Sequence, residues 1–318
     1  MRAPTGPAGA RIVSLGHYQP ARVVTNDELS QRVDTNDEWI RDRVGIVSRR
    51  IAEPTETVTD MAVAAGEKAL AASGLTAEDI DLVIVATCTA ETSLPNVSAA
   101  VATRMGMNAP GAFDVNTACS GFAYSLANAN HAIMAGAATN VLVIGVEKLS
   151  DWVDWDDRTT CIIFADGAGA AIVSGSDEPG IGPVVWGSDG SKGAAIRIED
   201  REGKIKQEGQ AVFRWATTGL APIGRQACER AGIDPSELAA FVPHQANIRI
   251  IDAIARKLGA DNAVVAHDIV ESGNTSAASI PIALSKMVER GEVASGSPVL
   301  LLGFGGGLTY AGQVITCP

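Results

Sequence analysis

Aromatic residues are scarce, at 4% of 318 positions, while glycine supplies 33. With its abundant alanine, that composition suits close helix–strand packing better than a sheet-only fold. Long apolar runs are missing. The longest, at 141–146 and 299–304, are strand-length, against about 20 residues for a membrane span. Residues 1–10 carry Pro and Gly but no apolar leader core, so a cytoplasmic location is expected. Paired cysteines are also missing. The five stand singly at 88, 119, 161, 228 and 317, which argues against zinc or another metal and for reduced thiols. Positive charge is in deficit. A net charge of −12 argues against general binding of nucleic acid or an anionic membrane. What remains is 46% hydrophobic, enough for one large core or two fused cores of about 150 residues each.

What is present alternates. Residues 81–87, 112–115, 141–146 and 168–174 read as strands, and 96–105 and 120–135 as helices closed by Gly106 and Gly136. Continuous Val/Ile/Leu runs separated by helices predict an α/β fold with its sheet covered on both faces. Some antiparallel strands are expected at the ends of each half. Thr25 with Glu28, and Thr35 with Glu38, have capping-box spacing. They predict short helices over 26–33 and 36–41, the second carrying Trp39.

The second half repeats the first. Residues 239–243 resemble 81–87, and the pair 299–304 and 308–316 resembles 141–146 and 168–174. A helix starting near Ser276 matches one starting near Cys119. This predicts an internal duplication, with halves 1–176 and 177–318 and a pseudo-two-fold axis. The axis would bring the Cys119 and Asn274 turns together.

Three residues carry candidate chemistry. Cys119 opens an Ala-rich helix, where free amides and partial positive charge favour a thiolate. A lone cysteine is more often structural, and Cys88, Cys161, Cys228 and Cys317 keep that reading. His244 follows a buried strand and precedes a helix, a position that often faces a site. His17 and His131 lack such a setting, and His267 is weaker. Asn274 stands in a Gly-Asn-Thr-Ser turn that serves either as a cap or as a hydrogen-bond donor to substrate. Gly303-Phe304-Gly305-Gly306-Gly307 opens no helix and lacks the Lys of a phosphate loop. It suits an oxyanion hole or a tight hairpin.

Six segments, in order and at fitting spacing, resemble β-ketoacyl-acyl-carrier-protein synthase III of the thiolase superfamily. They are Asp37-Glu38-Trp39-Ile40, Thr117-Ala118-Cys119-Ser120-Gly121-Phe122, Phe164-Ala165-Asp166-Gly167-Ala168-Gly169-Ala170, Pro243-His244-Gln245-Ala246-Asn247, Gly273-Asn274-Thr275-Ser276-Ala277-Ala278-Ser279 and Phe304-Gly305-Gly306-Gly307. The resemblance spans nearly the whole chain. It implies two duplicated α/β halves in a five-layer αβαβα arrangement, and a homodimer.

It also implies chemistry. Cys119 takes an acyl group from acyl-CoA, with the amides of Cys119 and Gly306 as oxyanion hole. His244 and Asn274 then assist decarboxylation of malonyl-acyl-carrier protein. Acyl-CoA is a substrate, and no cofactor is expected. Trp39, Arg43, Arg158, Gly209 and Asn247 would bind CoA, the adenine lying between Trp39 and Arg158. Leu94, Phe164 and Phe304 would shape the acyl pocket, Leu94 reaching across the dimer. Leucine stands where some acetyl-preferring relatives have a bulky aromatic, which leans toward a broader primer range. Residues 246–258 read as a helix with Ile248, Ile251, Ala255 and Leu258 on one face. Arg249, Arg256 and Lys257 on another would dock the acidic carrier protein. The last glycine segment lacks the second cysteine of degradative thiolases, and Asn274 replaces the second histidine of elongating synthases. A starter-unit ketosynthase of a polyketide pathway is the main alternative. A Cys–His–Asn amide hydrolase is the alternative from another class.

Overall fold

The computed structural model describes residues 5–200 and 203–318. Positions 1–4 of the stretch read for a leader lie outside them. The first sheet comprises β1 (Gly9–Tyr18), β2 (Leu82–Ala86), β3 (Gly111–Val115), β4 (Asn140–Lys148) and β5 (Asp166–Ser176), in the order β1-β5-β4-β2-β3. The second comprises β6 (Val185–Ser188), β7 (Ala240–Pro243), β8 (Val264–Val265), β9 (Pro298–Gly305) and β10 (Thr309–Thr316), in the order β8-β7-β9-β10-β6. In the first sheet β1/β5 and β5/β4 are antiparallel, and β4/β2 and β2/β3 parallel. Read from β6, the second sheet repeats that sequence: two antiparallel pairings, then two parallel ones.

The larger helices are α1 (Asp37–Val44), α2 (Val58–Ser73), α3 (Val97–Arg104), α4 (Gly121–Met134), α5 (Gly209–Ala231), α6 (Ile248–Leu258) and α7 (Ser279–Glu289). Strand alternation sorts them into layers. Ile84, Val141 and Val143 of the first sheet join Val242, Val299 and Leu301 of the second in one core, with Phe122 and Leu126 of α4 and Ile280 and Leu284 of α7 between them. Val83, Val85, Leu142 and Ile144 face outward onto α2 and α3. Leu300, Leu302 and Phe304 face outward onto α5 and α6. The result is helix, sheet, helix, sheet, helix. Each large apolar side chain so enclosed contributes roughly 1.5–3 kcal/mol.

The middle layer is tight because its contacts are small. A Cβ on Gly121 would meet the Ala86 Cβ at 2.9 Å, and one on Gly145 the Ala277 carbonyl oxygen at 2.3 Å.

Local corrections concern the helix starts. Asn36, not Thr35, caps α1, its side chain accepting from the Trp39 amide. The Thr35 hydroxyl is buried without a partner. Asparagine sits one residue closer to the first helical turn, so the helix runs Asp37–Val44 instead of 36–41. Thr25 does cap, but the Glu28 side chain turns to Arg22 instead of its own cap, and the helix stops at Ser30. The expected helix 26–33 is therefore little more than one turn. β1, α2, α5 and β6 were not foreseen.

Candidate active site

The nucleophile candidate sits on a strained turn. Cys119 lies in the 3-10 turn Ala118–Ser120 that leads into α4. Ala118 has φ +46°, and Ser276, in the matching turn before α7, has φ +48°. Left-handed geometry costs a non-glycine residue roughly 1–2 kcal/mol. Two such residues at equivalent points of both halves mark where the chain is held against its preference.

The glycine run supplies the approach. A Cβ on Gly305 would lie 2.7 Å from the Cys119 Cβ and 2.8 Å from its sulfur. The loop is tied down by Thr309, whose hydroxyl donates to the carbonyls of Gly306 (2.9 Å) and Thr117 (3.0 Å). The Ser276 hydroxyl and the backbone amides of Gly306 and of Cys119 itself act to lower the Cys119 pKa.

Those donors do not prevail. Burial, joined by the nearby Glu147 charge, pushes the thiol up to about 11, because a desolvated thiolate loses more than the donors return. The resting form at neutral pH is the thiol. The thiolate expected from the helix start alone is not the ground state.

His244 follows β7, and its amide donates to the Leu302 carbonyl at 2.9 Å. Its Nδ1 lies 2.7 Å from the Ser279 hydroxyl, whose oxygen accepts from the Gln245 amide at 3.3 Å. With the Ser279 hydroxyl donating to Nδ1, the ring proton sits on Nε2, which is then a donor. Phe304 packs edge-on to the imidazole, centroids 5.2 Å apart. Burial lowers the His244 pKa to about 3, so the ring is neutral.

Asn274 is fixed by both halves. Its amide donates to Ile163, and its carbonyl accepts from Ala165, each at 2.9 Å. The side-chain oxygen accepts from the Ser276 amide at 2.9 Å. The carboxamide NH2 is thereby left as the outward donor.

Cys119, His244, Asn274 and Gly306 line one cavity of about 1280 Å³. It extends to Trp39, Arg43 and Arg158 at one end, and past Cys88, Leu149, Trp152 and Phe164 at another. That exceeds the usual range of small-ligand pockets and suits a long, jointed ligand.

The comparisons now decide the family. A family model described as 3-oxoacyl-[acyl-carrier-protein] synthase III matches residues 113–190, and its C-terminal counterpart matches 228–317. Beta-ketoacyl-[acyl-carrier-protein] synthase III 4 of Streptomyces coelicolor is 58% identical, covering 98% of this chain and 99% of its own. The chain belongs to the 3-oxoacyl-[acyl-carrier-protein] synthase III family. Synthase III 2 of Streptomyces avermitilis is 59% identical over 98% of this chain and 99% of its own. Among solved structures, the priming beta-ketosynthase of the R1128 polyketide pathway superposes with TM-score 0.97 at 42% identity, covering 100% of this chain and 98% of that one. The Aquifex aeolicus synthase III gives 0.94 at 42% identity, covering 97% and 100%. The fold is that of the synthase III family within the thiolase superfamily.

The family-derived residues fall unevenly on this structure. Trp39, Arg43, Arg158, Gly209, Asn247, Phe164, Phe304 and Arg249 all line the cavity. The adenine slot is not open, because the Arg158 guanidinium lies 5.1 Å from the Trp39 ring centroid. An inserted base needs two stacking distances of about 3.5 Å each. Both ends of the Asn247 amide are occupied, Nδ2 by the Arg43 carbonyl and Oδ1 by the Arg249 amide.

Leu94, expected to reach across a dimer, is 85% exposed and does not line this chain's own cavity. Arg256 and Lys257 are exposed on α6, outside the cavity lining. The buried face of that helix is Ile250, Ile251, Ile254 and Leu258. Ile248 and Ala255 are only partly buried.

Several site residues escaped sequence reasoning. Arg197 and Arg214 join Arg43, Arg158 and Arg249 around the cavity. Cys88 lies past the end of β2, not inside a strand, and lines the cavity. Cys161 lies in a turn beyond Asp157 instead of a regular element. Glu147 ends β4 fully buried. Its only sequence signal was a charge closing an apolar strand.

Proposed function

We propose that this synthase III condenses a short acyl-CoA with malonyl-acyl-carrier protein, releasing CoA and carbon dioxide and forming a 3-ketoacyl-carrier-protein. Cys119 attacks the acyl thioester, the oxyanion lies between the Cys119 and Gly306 amides, and CoA leaves. Malonyl-carrier protein then loses carbon dioxide. The enolate oxygen is held by Nε2–H of His244 and the carboxamide NH2 of Asn274. Its carbon attacks the acyl carbonyl and frees Cys119. The observation that carries the reading is that a thiol, an imidazole and a carboxamide converge in one cavity, with Ser279 on the imidazole Nδ1 and the Ser276 amide on the carboxamide oxygen. A neutral imidazole stabilises an enolate without being titrated by it.

Residues 1–176 supply the nucleophile, and 177–318 supply the imidazole, carboxamide and glycine loop. CoA enters past Trp39, Arg43 and Arg158, with Gly209 and Asn247 along its path. Arg249, Arg256, Lys257 and the newly placed Arg214 meet the carrier protein. Phe164 and Phe304 bound the acyl chain, and Leu94 does so from the partner subunit of a homodimer. A cytoplasmic location and the absence of a cofactor belong to the same reading. The fatty-acid and polyketide-priming roles share all of this chemistry. The Streptomyces relatives support the first, and the R1128 priming ketosynthase the second. The amide-hydrolase reading gains no support from these relatives.

Acylation with a panel of acyl-CoAs, read by mass on the peptide containing Cys119, tests the reading. Cys119→Ala should abolish the mass gain. His244→Ala and Asn274→Ala should still load while losing about 100-fold or more in malonyl decarboxylation. An acyl-enzyme formed by Cys119→Ala, or no acylation from any acyl-CoA, overturns it.

A further inference from the structure

Behind the nucleophile lies a carboxylate with no cation paired to it among the described residues. Glu147 is fully buried at the end of β4. Every polar group against it is a donor. Oε1 receives the Ser276 hydroxyl at 3.0 Å and the Cys88 thiol at 3.3 Å. Oε2 receives the Thr89 hydroxyl at 2.7 Å, the Cys88 amide at 3.1 Å and the Thr87 hydroxyl at 3.3 Å. The threonine oxygens are themselves occupied, Thr87 accepting from the Thr89 amide and Thr89 from the Lys148 amide. The two hydroxyls also lie 3.3 Å from each other, and each is placed to donate to the carboxylate. The neighbouring Lys148 sends its ammonium away, to the Pro54 carbonyl at 3.3 Å and Asp151 at 3.4 Å.

Such a shell favours the carboxylate, against the burial that raises its pKa. Ser276 donates to Glu147 and lines the same cavity as Cys119, whose pKa its hydroxyl lowers. A hydroxyl between a thiol and a carboxylate can accept one proton while giving up its own.

We propose that Glu147 takes the Cys119 proton through the Ser276 hydroxyl as the cysteine attacks the thioester. The thiol proton moves to Ser276 Oγ, and the serine proton moves to Glu147 Oε1. The new serine O–H then donates back to the sulfur. The S–C bond to the acyl group forms, the bond to CoA breaks, and the CoA thiolate takes a proton from solvent. After condensation breaks the acyl–Cys119 bond, the returning thiolate recovers its proton from Glu147 by the reverse path. No redox partner is involved. This role rests on Cys119 as acyl acceptor. It answers how a thiol held up near 11 by burial can react at neutral pH.

The pH dependence follows from the groups facing Glu147, which are Thr87, Cys88, Thr89 and Ser276, with Cys119 beyond the serine. Burial raises the Glu147 pKa. Loading by the wild type should rise through that titration and then level off. Without the relay it should climb about tenfold per pH unit toward the thiol's own titration.

The test uses Glu147→Gln and Ser276→Gly. Glycine suits the φ of +48° at position 276 and removes the hydroxyl without straining the turn. Two rates are read from pH 6 to 9: acylation by acyl-CoA, and alkylation of Cys119 by iodoacetamide. The second requires no acyl chemistry, so it reads the relay even if Cys119 is not an acyl acceptor. Both variants should be about 100-fold slower at pH 7 and lose the plateau. Malonyl decarboxylation should fall far less than loading. Wild-type rates and profiles in either variant overturn the relay. So does an equal loss in loading and decarboxylation, which would make Glu147 a purely structural support for the Ser276 turn.

Discussion

At the scale of single residues, the site depends on how closely backbone approaches side chain. Gly305→Ala would push a methyl group to within 2.8 Å of the Cys119 sulfur. It should cut acyl loading at least tenfold while leaving a folded protein, as judged by circular dichroism. Full activity would refute the claimed contact. His244 offers a pH test. Its folded pKa of about 3 lies below the ordinary 6.5, so the unfolded chain binds the extra proton. Stability is therefore lost as pH falls below about 6.5. At pH 5 this term is about 2 kcal/mol. Relative to wild type, His244→Gln should regain about that much between pH 7 and 5 in chemical denaturation, and a constant gap would contradict the neutral, buried ring. Cys119, His244 and Asn274 were legible because each sits at a strand or helix boundary inside a recognisable segment. Glu147 and Ser276 were not legible as partners, since 129 positions separate the two halves of one hydrogen bond.

Elements were legible in proportion to how clearly their periodicity speaks. Strands of unbroken Val, Ile and Leu such as β2, β4 and β9 stood out, as did α4 and α7 between glycine stops. β1 and α5 did not. β1 mixes Arg11, Ser14 and His17 into an alternating pattern, and α5 carries Pro222 and several polar residues through 23 positions. The missed α5 matters, because it sets Arg214 on the cavity beside Arg249 of α6. Arg249 stacks on Phe213 at 5.6 Å and so serves cavity and surface together. Arg256 is the cleaner probe of α6, being exposed and outside the cavity. Reversing a rim charge mainly alters association and its salt dependence. Arg256→Glu should raise the KM for malonyl-carrier protein several-fold at low salt, with the difference fading at high salt. Loading from acyl-CoA should not change. Equal effects on both substrates would remove α6 from the docking face.

The whole molecule repeats one sheet topology twice but leaves its edges unequal. In the second sheet the edge strands β8 and β6 span two and four residues. In the first sheet β3 pairs, among the described residues, only with β2, and Phe113 on it is 40% exposed. Leu94 is still more exposed, at 85%. A free edge with an aromatic on it invites pairing unless a partner covers it. Pairing β3 with its own copy about a two-fold axis would satisfy that edge and close the proposed dimer. It would also give Leu94 an apolar destination that its own chain does not provide. Phe113→Lys places a charge at the centre of that contact. Light scattering should show wild type at twice the chain mass and the variant shifted toward one chain mass. The dissociated variant should load short acyl groups while changing its preference among longer ones, because the far wall of the acyl pocket leaves with the partner. A wild-type monomer, or a dimer indifferent to lysine at 113, would place the interface elsewhere and leave Leu94 without its assigned role.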